Sequence, residues 1–154
     1  MIRQGKKADI QHIIAINTSS LPEHYSEYFY EDMLRETPQA FLVAAERDKI
    51  IGYIMCRVEY GFSNLKRFNM MRKGHVVSIA VEERYRCKGI GRLLIDGGVK
   101  GLAEKKCEEV YLEVRISNSG AIRLYERLGF KISSTIDHYY RDGEAAHVMA
   151  SGMN

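Results

Sequence analysis

A short basic turn holds the residues with the clearest capacity for chemistry in this sequence. Its charged and glycine residues are Arg84, Arg86, Lys88, Gly89, Gly91 and Arg92. Glycine lets a backbone approach a ligand closely, and the free N–H groups in the first turn of a helix attract anions. The turn therefore predicts a site for a pyrophosphate, although a lone R-x-x-G-x-G match is equally compatible with a solvated turn.

Such a site needs a strand before the turn and a helix after it, and the sequence predicts both. His75 to Val81 forms an apolar strand whose continuous character indicates burial on both faces. A helical pattern follows from Ile90 to Lys106. Gly97, Gly98 and Gly101 are unexpected there, because each costs about 1 kcal/mol relative to Ala in a helix interior.

The other periodicities predict a mixed α/β chain. Helices are expected near residues 8–19, where Asp9 can cap the first turn, and over 26–35, ending before Pro38. The polar residues 47–49 read as the turn of a hairpin. We further predict strands at 40–46, 50–59, 110–114, 130–136 and 145–150, and a helix over 117–128 closed by Gly129.

Two segments resemble the motifs of the GNAT acetyltransferases. The 86–91 turn is similar to motif A, and residues 118–130 match the motif B pattern N-x-x-A-x-x-L-Y-x-x-x-G-F. The resemblance implies the GNAT, or acyl-CoA N-acyltransferase, fold: a mixed sheet of about six to seven strands and about four helices. It also implies acetyl-CoA as co-substrate, with no metal. The coenzyme-binding residues that it implies are Ile79, Ala80, Val81, Arg86, Cys87, Lys88, Gly89, Ile90, Gly91, Arg92, Asn118 and Tyr125.

Within that family, the loop amides hold the pyrophosphate and the preceding strand polarises the acetyl carbonyl. By resemblance, Asn118 contacts the coenzyme and Tyr125 lies near its sulfur. A phenol, with a reference pKa near 10, can protonate a departing thiolate. The ordinary alternatives are a helix cap for Asn118 and a packed aromatic for Tyr125. We expect direct transfer without an acyl-cysteine, because Cys87 is predicted to lie beside the phosphates.

Two further segments indicate the acceptor. Residues 21–25, LPEHY, resemble the LPENY loop of the catalytic subunit of N-terminal acetyltransferase A and its archaeal counterparts, with His24 in place of Asn. Residues 139–149 resemble the YYxDGEDAxxM segment of those enzymes and of the ribosomal-protein alanine acetyltransferases, with Ala145 in place of an acidic residue. The resemblance implies acetylation of the N-terminal α-amino group of proteins or peptides. The residues expected to shape the peptide slot are Leu21, Pro22, Tyr25, Tyr139 and Tyr140.

An α-amino group, with a reference pKa of about 7.7 to 8.0, is largely protonated near neutrality and needs a base. Glu23, His75 and Glu113 are the candidates, and their ordinary alternatives are a surface charge, a core histidine and an ion-pair partner. The N-terminal acetyltransferases suggest Glu23 with His75 acting through water, and the ribosomal-protein enzymes suggest Glu113. We prefer Glu23 with His75. A divalent ion on His75 and Glu113 would lack a third ligand.

The composition sets broader limits. The 154 residues suit one domain, predicted over 1–154, and a net charge of +3 does not indicate a nucleic-acid partner. Three separated cysteines without a CxxC pair, no signal sequence and no long apolar stretch predict a cytoplasmic protein without a membrane partner. The expected partners are protein or peptide N-termini, and the need for a ribosome or an auxiliary subunit stays open. The alternatives are a GNAT enzyme for a small amine or lysine side chain, and a non-enzymatic acyl-CoA-binding module.

Overall fold

Helices and strands follow one another in the mixed α/β order that the sequence predicts. The computed structural model describes residues 1–153, which contain four α-helices and seven β-strands. The helices are α1 (Ile10–Ser20), α2 (Glu27–Glu36), α3 (Ile90–Glu104) and α4 (Ser119–Arg127). The strands are β1 (Ile2–Gln4), β2 (Phe41–Glu46), β3 (Lys49–Phe62), β4 (Met70–Val81), β5 (Glu109–Arg115), β6 (Lys131–Ile136) and β7 (Ala146–Gly152). They form a mixed sheet in the order β1-β2-β3-β4-β5-β7-β6.

The described chain divides into two compact units. The first unit holds Met1–Arg57 and Val76–Lys105, and the second holds Val58–His75 and the residues from Lys106 onwards. The basic turn at residues 86–91 lies in the first unit, and His75 lies in the second. The single domain expected over residues 1–154 stays a prediction.

The first unit is built on amphipathic helices and a β-hairpin. The apolar side chains of α1 and α2 that are buried are Ile10, Ile13, Ile16, Tyr30 and Met33. Ser26 begins α2 as a cap, since its side-chain oxygen accepts the backbone N–H of Phe29 at 3.2 Å. The predicted hairpin forms, with Arg47 in the left-handed region at φ 59° between β2 and β3. Within residues 1–153, no helix is long and apolar enough to cross a membrane.

Asp9 does not have the predicted role. Its side chain makes no capping hydrogen bond to α1. Instead, its carboxylate accepts the backbone N–H of Lys6 at 2.8 Å and pairs with Arg3 at 2.8 Å. Arg3 lowers the pKa of this carboxyl group, with a further contribution from the Lys6 N–H. Asp9 therefore holds the 3₁₀ turn Lys7–Asp9 that leads into the helix.

Close packing explains the three glycines inside α3. A Cβ at Gly101 would lie 2.0 Å from the backbone oxygen of Gln39, and one at Gly98 would lie 2.9 Å from Ile54 Cδ1. A Cβ at Gly97 would lie 2.7 Å from a leucine methyl group of β2. The helix therefore lies so close to β2, to β3 and to the 3₁₀ turn Pro38–Ala40 that a larger residue would force a shift. The cost in helix propensity is offset by this contact.

β4 differs from its prediction in length and in burial. It begins at Met70, five residues before the predicted start, and pairs in parallel with β5 over residues 73–75 and 109–111. From His75 to Val81 buried and half-buried residues alternate, so the prediction of burial on both faces is wrong. His75, Ile79 and Val81 share the half-buried face, as strand alternation predicts.

Gly129 closes α4 as predicted. It has φ 98°, and its N–H donates to Glu126 O at 3.0 Å. The next N–H, from Phe130, donates to Tyr125 O at 3.0 Å, and the two rings are 5.9 Å apart. This pair of hydrogen bonds with an apolar contact is a Schellman cap. It fixes the position of Tyr125 near the end of its helix.

Candidate active site

The basic turn of the first unit presents backbone amides at the start of α3. Cys87 and Gly89 both have left-handed backbones, with φ 62° and 83°. In the described part of the chain no side chain caps α3, which begins at Ile90. Arg86 Nε donates to Val81 O at 2.8 Å and so ties the turn back to β4. The free amides, the helix dipole and the left-handed backbone together suit a bound phosphate group.

The positive charge of the turn is less concentrated than the sequence suggests. Arg84 pairs with Glu82 at 3.1 Å, and hydrogen bonds from Arg84 and Lys49 lower the pKa of Glu82. Arg92 lies 3.9 Å from Asp96 one turn along α3. Because these pairs are exposed, they are weak and can rearrange around an anion.

The predicted acceptor loop, residues 21–25, also belongs to the first unit. The Tyr25 hydroxyl donates to Val77 O at 3.4 Å, and its ring stacks on Phe29 with centroids 4.8 Å apart. Tyr53 is buried and has a raised pKa, caused first by burial, with the charge of Glu23 as a smaller contribution. Tyr25 therefore contacts the backbone of the predicted coenzyme strand, and the charge of Glu23 contributes to the raised pKa of Tyr53.

His75 lies at the centre of a polar cluster in the second unit. Its Nε2 is 2.8 Å from Glu113 Oε1, and its Nδ1 is 3.2 Å from Glu59 Oε2. Tyr111 donates from its hydroxyl to Glu59 Oε1 at 2.5 Å. The four side chains come from β3, β4 and β5, and we call them the histidine cluster.

Tyr125 and Asn118 lie in the second unit on α4. Tyr125 is 7% exposed, and burial raises its pKa to about 12. At neutral pH its hydroxyl group is therefore protonated and can donate a hydrogen bond or a proton. Asn118 begins the helix, and its side-chain oxygen accepts the Ala121 N–H at 3.2 Å. The capping alternative for Asn118 is what the structure shows, while its contact with the coenzyme stays a prediction.

The tail segment is organised around Arg115. Its guanidinium pairs with Asp142 at 2.9 Å and Glu144 at 2.8 Å. It also lies 4.0 Å from the ring centroid of Tyr140, whose ring packs edge-on against Tyr139. The two acidic residues of the tail motif thus position an arginine and, through it, the two tyrosines predicted for the peptide slot.

Of the three predicted bases, the structure joins His75 and Glu113 directly. Glu23 belongs to the other unit. The sequence interpretation missed Glu59, Tyr111 and Arg115, although Arg115 stands three residues before the motif B match and its acidic partners stand within the tail motif. Glu59 is the last residue of the predicted strand 50–59, and nothing in its local sequence marks it as a histidine partner.

The histidine cluster does not have the geometry of a metal centre. In the part of the chain that the structure describes, no three His, Cys, Asp or Glu side chains group so as to hold an ion. Glu59 and Glu113 approach opposite nitrogens of one ring, so they do not converge on one point.

Comparison with known proteins gives the family. The model of the Acetyltransferase (GNAT) family matches residues 9–130. The chain therefore belongs to the GNAT acetyltransferases, as the two motifs predict. It is 51% identical to an N-alpha-acetyltransferase of Sulfurisphaera tokodaii over 152 residues. This alignment covers 97% of the present chain and 91% of the relative.

Solved structures agree on the fold. The crystal structure of Ard1 from Thermoplasma volcanium is similar with a TM-score of 0.86 and 29% identity, covering 100% of this chain and 97% of that one. Naa20 of Chaetomium thermophilum, solved with a bisubstrate analogue, has a TM-score of 0.85 and 27% identity, covering 99% and 86%. The expected GNAT fold, with its mixed sheet and four helices, is confirmed.

Proposed function

We propose that this protein transfers acetyl from acetyl-CoA to the N-terminal α-amino group of proteins or peptides. The observation that carries the proposal is the turn at residues 86–91, where left-handed Cys87 and Gly89 lead into the uncapped N-terminus of α3. The acceptor follows from the similarity along 97% of the chain to a relative named N-alpha-acetyltransferase.

The residues of the first unit fit the coenzyme. The amides of Ile90, Gly91 and Arg92 would hold its pyrophosphate, with Arg86 and Lys88 adding charge. The half-buried face of β4, with Ile79 and Val81, would lie along its pantetheine arm. When bound, acetyl-CoA supplies the thioester that the amine attacks. Cys87 is exposed in the turn that would hold the phosphates, which supports direct transfer without an acyl-cysteine.

Two proton transfers complete the chemistry. The ammonium form of the acceptor must lose a proton before its nitrogen can attack, and we propose Glu23 with His75 as the base, with Glu113, which lies 2.8 Å from His75 Nε2, as the alternative. Tyr125 would give its proton to the departing thiolate. With a pKa of about 12, Tyr125 is fully protonated at neutral pH and is a weaker acid than free phenol, so hydrogen bonding to the sulfur is its main contribution.

Two segments, one in each unit, are proposed to contact the acceptor. Leu21, Pro22 and Tyr25 in the first unit, and Tyr139 with Tyr140 in the second, are proposed to bind the peptide backbone. Arg115 would stabilise the second segment. We propose that the protein acts in the cytoplasm on protein or peptide N-termini. We propose the ribosome or an auxiliary subunit as a positioning partner.

Mass spectrometry of peptides incubated with protein and acetyl-CoA tests this function. The panel varies the first two residues and includes, for each peptide, a matched copy with a blocked N-terminus and an internal lysine. We expect a gain of one acetyl group only on free N-termini. Acetylation of the blocked, lysine-containing copies would instead support a lysine acetyltransferase. Acetyl-CoA binding without turnover on any peptide would support a non-enzymatic module.

A further inference from the structure

The excess positive charge of the chain is concentrated in one hairpin of the second unit. Residues 58–75, which we call the basic hairpin, include the end of β3, the loop after it and the start of β4. They hold four basic side chains and one acidic side chain, so their net charge of +3 equals that of all 154 residues. The small net charge of the protein therefore does not reveal how basic this region is.

Large apolar side chains are exposed on the same hairpin. Phe68 is 85% exposed, Tyr60 71% and Phe62 61%. Leu65 and Met70 are exposed as well. Single exposed apolar residues are ordinary on a protein surface, but five within eleven positions form a patch of the kind that marks an interaction site.

Two of the rings share a face of the sheet with an arginine. Glu59 of β3 contacts His75 of β4, so these two side chains lie on one face. Because side chains alternate along a strand, Tyr60, Phe62 and Arg72 lie on the opposite face. All three are exposed. The basic hairpin therefore presents aromatic rings and a guanidinium together on a surface that faces solvent.

The loop of the hairpin is held in place by a buried carboxylate. Glu109 is 2% exposed, and it accepts the Ser63 hydroxyl at 2.5 Å and the Asn64 N–H at 2.7 Å. Ser63 Oγ in turn accepts the N–H groups of Leu65 at 3.0 Å and Lys66 at 2.8 Å. Since these hydrogen bonds already order the loop, a ligand that binds there would lose little free energy in ordering it.

Phe68 combines an unfavourable backbone with an exposed ring. Its φ of 68° lies in the left-handed region, which a bulky side chain rarely adopts. The ring is largely exposed, so packing within the chain does not offset the cost of this conformation. Strained residues of this kind cluster at ligand-binding sites. The backbone of the loop thus supports the interpretation of its surface as a binding site.

The chemistry of the hairpin restricts its partner, which must be anionic and must offer flat apolar faces. A single-stranded nucleic acid has both, because phosphates attract the cations and unpaired bases stack on aromatic rings. A standard protein partner needs roughly 20 to 30 residues on each side, which is more than the hairpin exposes. Unpaired bases are typical of the loops and bulges of folded RNA, which favours RNA over duplex DNA.

We propose that the basic hairpin binds single-stranded RNA. The rings of Tyr60, Phe62 and Phe68 stack on unpaired bases, and the cations of the loop and of β4 contact the phosphates. The cations are Lys66, Arg67 and Arg72, all of them exposed. This inference goes beyond the proposed acetyl transfer and does not depend on it, because none of these six side chains belongs to the proposed machinery of transfer.

Fluorescence anisotropy with a labelled single-stranded RNA of about ten nucleotides tests the proposal. Tyr60→Ala combined with Phe68→Ala should weaken binding on the order of tenfold or more, because two stacking surfaces are lost. Lys66→Gln combined with Arg67→Gln should weaken binding too. It should also reduce the slope of the logarithm of the binding constant against that of the salt concentration, by roughly 0.7 for each cation removed.

Lys131→Gln combined with Ile132→Ala is the matched control, because it removes an exposed cation and an exposed apolar side chain from β6. Its affinity for the RNA should equal that of the wild type. All the variants change exposed side chains, so thermal unfolding should be little altered. Acetylation of a short peptide by the two hairpin variants should also stay at the level of the wild type.

Several results would overturn the proposal. One is an absence of RNA binding by the wild type, and another is equal affinity in the wild type and in both hairpin variants. Tighter binding to an RNA duplex of the same length would exclude stacking on unpaired bases. Binding to phosphatidylglycerol vesicles without binding to RNA would assign the hairpin to a lipid surface, and displacement of the RNA by polyglutamate at equal charge would assign it to an acidic polypeptide.

The two proposals fail separately. If the wild type acetylates no peptide, the proposed function is wrong, while the anisotropy measurement still reports on RNA binding. If the wild type acetylates peptides and does not bind the RNA, only the role of the basic hairpin is wrong.

Discussion

The turn at residues 86–91 is formed mainly by backbone groups, whereas the histidine cluster is formed by side chains. The turn depends on backbone: two left-handed residues, a helix start and free amides within one short segment. The cluster depends on side chains from three strands, which join Glu59 to a residue 52 positions away. One is a local property of the chain, and the other exists only when the sheet has formed.

From this difference we infer different roles for the two regions. Backbone amides can hold a phosphate but cannot exchange a proton at neutral pH, whereas carboxylates and an imidazole can. The turn should therefore control affinity for the coenzyme, and the histidine cluster should control the rate of transfer. Variants in each region can break or sharpen this distinction.

The largest effect is expected from removing the candidate bases. Glu23→Gln combined with His75→Ala should lower turnover on a reactive peptide by on the order of 100-fold or more, because the acceptor amine stays protonated. Affinity for acetyl-CoA should stay nearly unchanged. Steady-state kinetics and calorimetric titration with acetyl-CoA measure the two quantities.

The matched control changes an exposed histidine and an exposed carboxylate, His12→Ala with Glu104→Gln, neither of which belongs to the proposed machinery. Its turnover should equal that of the wild type. Retained turnover in the double variant of Glu23 and His75 would refute their assignment as bases. A loss of coenzyme affinity in that variant would contradict a role limited to proton transfer.

Local signals account for what the sequence predicted well. The turn, the strand before it and the helix after it follow from glycines and apolar periodicity. The cap at Gly129 depends on residues within five positions of each other. These are short-range effects of backbone geometry, so a single sequence contains them.

The missed features depend on distant residues. The three glycines of α3 are explained by β2, β3 and Gln39, more than 40 positions away. The first half of β4 was missed because Lys73 looks exposed in sequence, whereas its ammonium group binds Phe62 O and the ring of Tyr111. β1 has three residues and no periodicity to detect.

A smaller effect should follow from changing the backbone of the turn. Gly89 has φ 83°, where an L-residue costs roughly 1 to 2 kcal/mol. Gly89→Ala should therefore distort the start of α3 and raise the KM for acetyl-CoA on the order of tenfold, with kcat at saturation little changed. Steady-state kinetics at a fixed peptide concentration measures this.

Gly152→Ala in β7 is the control, since a Cβ there meets no atom within 4 Å and the position has no left-handed backbone. If Gly89→Ala binds acetyl-CoA as the wild type does, the turn is not what holds the coenzyme. If it lowers kcat and leaves KM unchanged, the division between binding and chemistry is wrong.

The smallest effect concerns the acidic residues around Arg115 in the second unit. A hydrogen bond from the Glu144 N–H, and then Arg115, lowers the pKa of Asp142, while Ser117 and then Arg115 lower the pKa of Glu144. Since both pKa values lie below those of the unfolded chain, this contribution is present above the unfolded-state pKa and is lost as the pH falls through the folded one.

Both carboxylates lie near the surface, so solvent screening keeps their effect on stability small, and carbon NMR of the carboxyl groups is the sensitive measurement. Arg115→Gln should raise both titration midpoints, because each carboxylate loses a cationic donor. Arg123→Gln, an exposed arginine of α4, should leave them unchanged. Equal midpoints in wild type and Arg115→Gln would mean that Ser117 and the backbone donors alone set these pKa values.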